Sequence, residues 1–189
     1  MSVPLTVVGG AVVGHSGPMT TTDGTLSAHL TEDDLRHLRR CVELAREALD
    51  AGDGPFGSVL VTAEGRVVGE DRNREHSTGD DTRHPEFELA RLAATALTPD
   101  ERATATVYTS GEHCPMCSAA HAWVGLGRIA YAASTAQLVG WHRGWGLPAA
   151  PVSPLAVQDV APGVVVAGPA PSLEDEVRAL HEAAARHTS

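Results

Sequence analysis

Two short motifs, each opening a helix, constrain this chain more than anything else in it. His84-Pro85-Glu86 leads into one apolar run at helical spacing, and Cys114-Pro115-Met116-Cys117 leads into another. Proline at a first helical position costs no hydrogen bond, because that N–H has no partner inside the helix. The pattern predicts helices over 84–97, stopped before Pro99, and 115–124. Cysteines three apart in a first turn can point their sulfurs to one side. The partial positive charge of a helix N-terminus favours their thiolate form. A fold that sets the two helix starts side by side adds the His84 imidazole to the two sulfurs. That donor set suits a borderline-soft cation such as zinc.

The rest of the chain alternates strands with helices. Thr31 and Asp34 form a capping-box-like pair before Leu35, Leu38, Cys41, Leu44, Ala45, Ala48 and Leu49, so a helix opens at Thr31. It ends at Gly52-Asp53-Gly54-Pro55. A hairpin is expected over 57–62 and 66–69, around Ala63-Glu64-Gly65. Short strands are expected over 105–109, 128–133 and 164–167, and a final amphipathic helix over 172–186. This order implies an α/β fold: a three-layer α/β/α sandwich around a central mixed sheet of about five strands. Residues 1–30 read as an N-terminal extension and 31–189 as a single domain. Residues 134–163, rich in Gly, Pro and Trp, are its least regular part. Within the extension, residues 3–13 are apolar but short, broken by Gly9-Gly10 and without a basic flank. They suggest an extra strand or hairpin rather than a signal peptide. No run approaches the roughly 18 apolar residues of a membrane span, so the expectation is a cytoplasmic chain without a membrane partner.

Three protein ligands are one short of a closed structural zinc site, and a catalytic site leaves that fourth position to water. Glu86, two residues past the histidine, stands near it. Zinc lowers the pKa of water to about 7, and a neighbouring carboxylate can take the water proton and return it to a substrate. The competing readings of the same residues are a structural zinc knuckle, with His113 as a fourth ligand, and a redox C-x-x-C pair. Charge narrows the substrate class. The chain carries a net charge of −10, and all 14 of its basic residues are Arg. An acidic surface opposes a nucleic-acid partner, which needs basic surface to neutralise phosphates.

H-x-E followed by C-x-x-C resembles the zinc-dependent cytidine and nucleobase deaminases, which share an H-x-E…P-C-x-x-C signature. His113 stands here where that signature has proline. Gly54-Pro55-Phe56-Gly57, Asn73, Asp81-Thr82, Tyr108-Thr109-Ser110 and Trp123 are similar to bacterial guanine deaminases, over roughly residues 31–133. The resemblance implies hydrolytic loss of ammonia from a small heterocyclic amine, with zinc on His84, Cys114 and Cys117 and Glu86 moving protons. It implies that Asn73 hydrogen-bonds the ring and that Phe56 and Trp123 line it. Pro85 and His113, flanking the ligands, join them as expected pocket residues. It also implies a homodimer. Residues 134–189 diverge from that family, so guanine, cytosine, s-triazine and nucleoside substrates stay open. A tRNA adenosine deaminase and an inactive zinc-stabilised binding module also remain.

Overall fold

The computed structural model describes residues 20–22, 25–27 and 29–187. The stretch 3–13 lies outside them. In chain order the elements are β1 (Thr20–Thr22), β2 (Thr25–Ser27), α1 (Glu32–Asp50), β3 (Gly57–Val61) and β4 (Val67–Arg72). Then come α2 (Glu75–Thr78), α3 (Pro85–Ala96), α4 (Pro99–Thr104), β5 (Thr106–Gly111), α5 (Pro115–Trp123) and β6 (Arg128–Ala133). The chain closes with α6 (Thr135–Gly144), α7 (Val157–Val160), β7 (Val166–Ala167), a 3-10 turn (Pro171–Leu173) and α8 (Glu174–His187).

The expected five strands form the body of a mixed sheet in the order β7-β6-β5-β3-β4, and the β1–β2 hairpin extends it beyond β7. β5, β6 and β7 run parallel, while β3 is antiparallel to both β4 and β5. Alternation along β3 feeds two cores. Val59 and Val61 pack with Leu38, Cys41 and Leu44 of α1 and with Val177 and Leu180 of α8. Leu60 points the other way, to Leu89, Ala90 and Ala93 of α3. Helices thus cover both faces. Gly57 permits the close approach of α1, since a Cβ there would sit 2.4 Å from the Leu44 Cβ and 2.5 Å from the Cys41 carbonyl.

Asp34 locks the start of α1 to the sheet. Its carboxylate accepts from the Thr31 N–H at 2.8 Å and from the Tyr108 hydroxyl at 2.9 Å. Arg128 of β6 grips it with two nitrogens, at 2.7 and 2.9 Å. Burial opposes the charge, but Arg128 and Thr31 prevail and lower the Asp34 pKa from 3.8 to about 2. The unfolded chain therefore binds more protons in this range, and stability falls as pH drops from about 4 through 2. Asp34→Ala leaves the half-buried Arg128 and the Tyr108 hydroxyl without their carboxylate partner, and is expected to cost about 3 kcal/mol at pH 7. Chemical denaturation at pH 7 and pH 3 checks this, with the deficit smaller at pH 3.

The region 134–163 is more regular than its composition suggests. α6 forms because Ser134 and Gln137 make a reciprocal capping box. The Glu112 carboxylate holds both new helix starts, accepting from the Thr135 N–H at 2.8 Å and the Val157 N–H at 3.0 Å. Glycines at 140 and 144 hid the helical period. Pro99 proves to open α4 as well as to end α3, with Thr98 as its cap.

Candidate active site

The two motif helices start side by side. His84 caps α3 and Cys114 caps α5, each followed by proline at the first helical position. The parallel pair β5–β6 fixes the level at which α5 begins, just past the C-terminal end of β5, where open α/β sheets leave a crevice. Both sulfurs lie 3.6 Å from the His84 Nδ1, and the three ligand atoms fall within 4.8 Å of one another. The other ring nitrogen, Nε2, meets Glu75 Oε1 at 2.9 Å. A carboxylate on Nε2 sets the tautomer that leaves Nδ1 free to ligate. Two thiols and one oriented imidazole fit zinc.

Hydrogen bonds from Cys117 and His84 hold the Cys114 thiol down at about 4, against its burial. Cys117 shifts upward, because it shares its proton with Cys114 and lies buried beside Glu86. Burial lowers the His84 pKa, but its bonds to Cys114 and Glu75 outweigh this and raise it to about 10. Glu86 is buried, and burial pushes its carboxyl up against the pull of His84 and of the Thr109 hydroxyl. One of its oxygens accepts from Thr109 Oγ1 at 2.8 Å, and Ser58 donates to Thr109 in turn at 3.0 Å. The other oxygen lies 3.7 Å from the Cys117 sulfur. A carboxylate fixed beside three metal donors, with one oxygen tied to the sheet, is placed to accept and return a proton.

A cavity of about 480 Å³ opens over these groups, walled by Phe56 on one side and by α6 and the loop 146–154 on the other. His84, Glu86, Cys114 and Pro115 form its floor. Trp123 stands apart from this wall, 88% exposed at the end of α5. Asn73 is 1% exposed and does not line the cavity. Its amide is engaged with Glu75, donating to Oε2 at 2.8 Å and accepting from the Glu75 N–H at 3.0 Å. Pro85 is buried at the start of α3 and also lies off the wall. His113 packs edge-on against His121 with ring centroids 5.5 Å apart, outside the three-ligand cluster. Burial, with His121 and His84 nearby, keeps it neutral.

Sequence reasoning missed Glu75, Thr109 and Glu112 as supports, and missed α6 as a wall. Thr109 was quoted only within the Tyr108-Thr109-Ser110 resemblance, Glu75 and Glu112 fall at no motif spacing, and only the folded sheet and the α2 turn bring them in. Glu75→Gln is expected to weaken zinc binding about 10- to 100-fold, readable by competition with a chelator while the circular dichroism stays unchanged.

Residues 31–133 match the cytidine and deoxycytidylate deaminase zinc-binding region, and the chain belongs to that family. A probable cytosine deaminase of Schizosaccharomyces pombe is 34% identical over 113 residues, 60% of this chain and 68% of its own length. The guanine deaminase of Bacillus subtilis is 38% identical over 97 residues, 51% of this chain and 62% of its own. The solved guanine deaminase of Nitrosomonas europaea has the same fold, with a TM-score of 0.59 and 20% identity over 84% of this chain and 87% of that one. A tRNA-specific adenosine deaminase of Agrobacterium fabrum matches a shorter stretch, 36% identical over 47% of this chain and 58% of its own. The chain is thus a zinc deaminase of the cytidine deaminase family, with His84, Cys114 and Cys117 as its zinc site. Among the described residues, no helix is long and apolar enough to cross a membrane.

Proposed function

We propose that the chain removes an amino group hydrolytically from a free nucleobase or similar small heterocycle of the guanine or cytosine kind. The observation that carries this reading is the buried Glu86 carboxylate at the floor of a largely apolar, walled cavity, beside three zinc donors. Zinc supplies Lewis acidity that makes water acidic enough to be used at neutral pH. Glu86 takes one water proton and passes it to the ring nitrogen as the C–O bond forms, then carries the remaining hydroxyl proton to the amine as the C–N bond breaks, leaving a carbonyl and ammonia. Thr109 and Ser58 keep the carboxylate oriented through both transfers. Phe56 offers the ring an apolar face, and α6 with the loop 146–154 excludes bulk water. Asn73 acts through Glu75 and His84. The relatives named cytosine and guanine deaminase support a base-sized substrate.

The runner-up is an adenosine in tRNA, favoured by the Agrobacterium relative. The net charge of −10 and the absence of lysine oppose it, since such a substrate needs a basic groove. We also place the chain in a homodimer, to be tested by light scattering. An ammonia-release screen over guanine, cytosine, adenine, their nucleosides and aminotriazines tests the substrate class. Release from a free base supports it. Release only from tRNA, with a gel shift at physiological salt, overturns it.

A further inference from the structure

The zinc floor and the Phe56 wall have tasks, but α6 brings the cavity a polar ring that has none. Thr135, Leu138, Val139 and His142 all line the cavity. They fall at i, i+3, i+4 and i+7, so one face of α6 makes the wall. Among the ionisable groups there, His84 and Cys114 are zinc donors and Glu86 is committed to the proton transfers. Both oxygens of Glu112 accept backbone N–H groups, from Thr135 and Val157. Arg143 is exposed. His142 is half-buried, and its imidazole makes no hydrogen bond among the described residues. Packing holds the ring instead. By ring centroids, Trp145 stands 6.0 Å away and His181 of α8 stands 5.8 Å away. His181 is itself 3% exposed and meets Phe56 edge-on at 4.9 Å, so α8 backs both walls with one side chain. Burial lowers the His142 pKa, which keeps the ring neutral at pH 7.

We propose that His142 is the residue that tells one ring from another, by a hydrogen bond to an edge of the substrate away from the reacting carbon. This rests on the reading of the site as a free-base deaminase and adds the group that chooses the base. His142 stands outside the three-donor cluster, so it meets an edge that the zinc chemistry does not use. A neutral imidazole offers one N–H donor and one acceptor nitrogen. It needs no counter-charge, which suits a neutral base. A ring lacking the matching atom leaves that nitrogen unpaired in the cavity, and the lost bond becomes discrimination.

Ammonia release by the zinc-loaded chain tests this with parent and analogue rings that keep the reacting carbon and its amine. Guanine is compared with 2-aminopurine, which lacks O6, and with 7-deazaguanine, which lacks N7. Cytosine is compared with 4-aminopyrimidine, which lacks O2. His142→Phe keeps a ring against Trp145 and His181 but removes both nitrogens. It is expected to lower kcat/KM for the parent base about tenfold or more, through KM, and for the analogue missing the contacted atom about twofold or less. Comparing variant with wild type on the same ring cancels the analogue's own reactivity. The analogue that is indifferent to the substitution names the atom that His142 contacts. A variant that costs every ring equally, or none, overturns the proposal. Calorimetry on the same rings separates it from the reading beneath it. Rings that bind with the His142-dependent pattern but yield no ammonia leave this inference standing and count against the deaminase reading. Ammonia from guanine or cytosine with equal costs throughout does the reverse. Binding of no ring overturns both.

Discussion

Glu86→Gln lowers ammonia release by about 10³-fold or more while zinc stays bound and the fold stays intact. The replacement keeps the shape of the side chain, and its amide oxygen can still accept from Thr109. It removes the one carboxylate placed both against the three donors and inside the cavity. Burial already disfavours the Glu86 charge, so a neutral isostere is expected to melt at the same temperature or higher. Loss of turnover without loss of stability or metal separates a proton carrier from a structural residue. Equal losses of zinc, stability and turnover would instead make Glu86 part of the scaffold.

The second large effect is on the metal. Cys117 is fully buried beneath His84 and Glu86, and Cys117→Ser replaces a soft ligand with a hydroxyl that ionises far less readily. Zinc affinity is expected to fall about 100-fold or more. Zinc content after dialysis should drop from about one ion per chain to a small fraction, and activity should drop with it. The melting temperature should fall too, because a metal that binds only the folded chain stabilises it by mass action. The wild-type chain treated with chelator should match the variant, and added zinc should rescue the wild type alone. Undiminished zinc in Cys117→Ser would mean that another residue, with His113 and His121 equally near in sequence, completes a closed structural site.

The metal donors were legible in the sequence because they depend on short-range geometry. Each motif occupies one helix start, and only one tertiary fact, the meeting of two helices, was needed to join them. The order of the longer strands and helices was legible for the same reason through residue 133, without the short α2 and α4. What the sequence hid are contacts between elements distant along the chain. Glu75 reaches His84 only because α2 turns it back, and Glu112 holds two helix starts that follow it by 23 and 45 residues. The α6 wall was hidden by its glycines, and its register became clear only from the Ser134–Gln137 cap. Asn73, which the resemblance sets on the ring, has one amide N–H and its oxygen engaged with Glu75, and Glu75 in turn holds His84.

Reaction in water labelled with heavy oxygen tests the central claim most directly. The zinc-loaded chain, supplied with a ring it turns over, should release ammonia and leave one labelled carbonyl oxygen per amine lost, with neither product formed by Glu86→Gln. Zinc-loaded protein that frees no ammonia from any amino heterocycle, or a product carbonyl without label, would contradict the account.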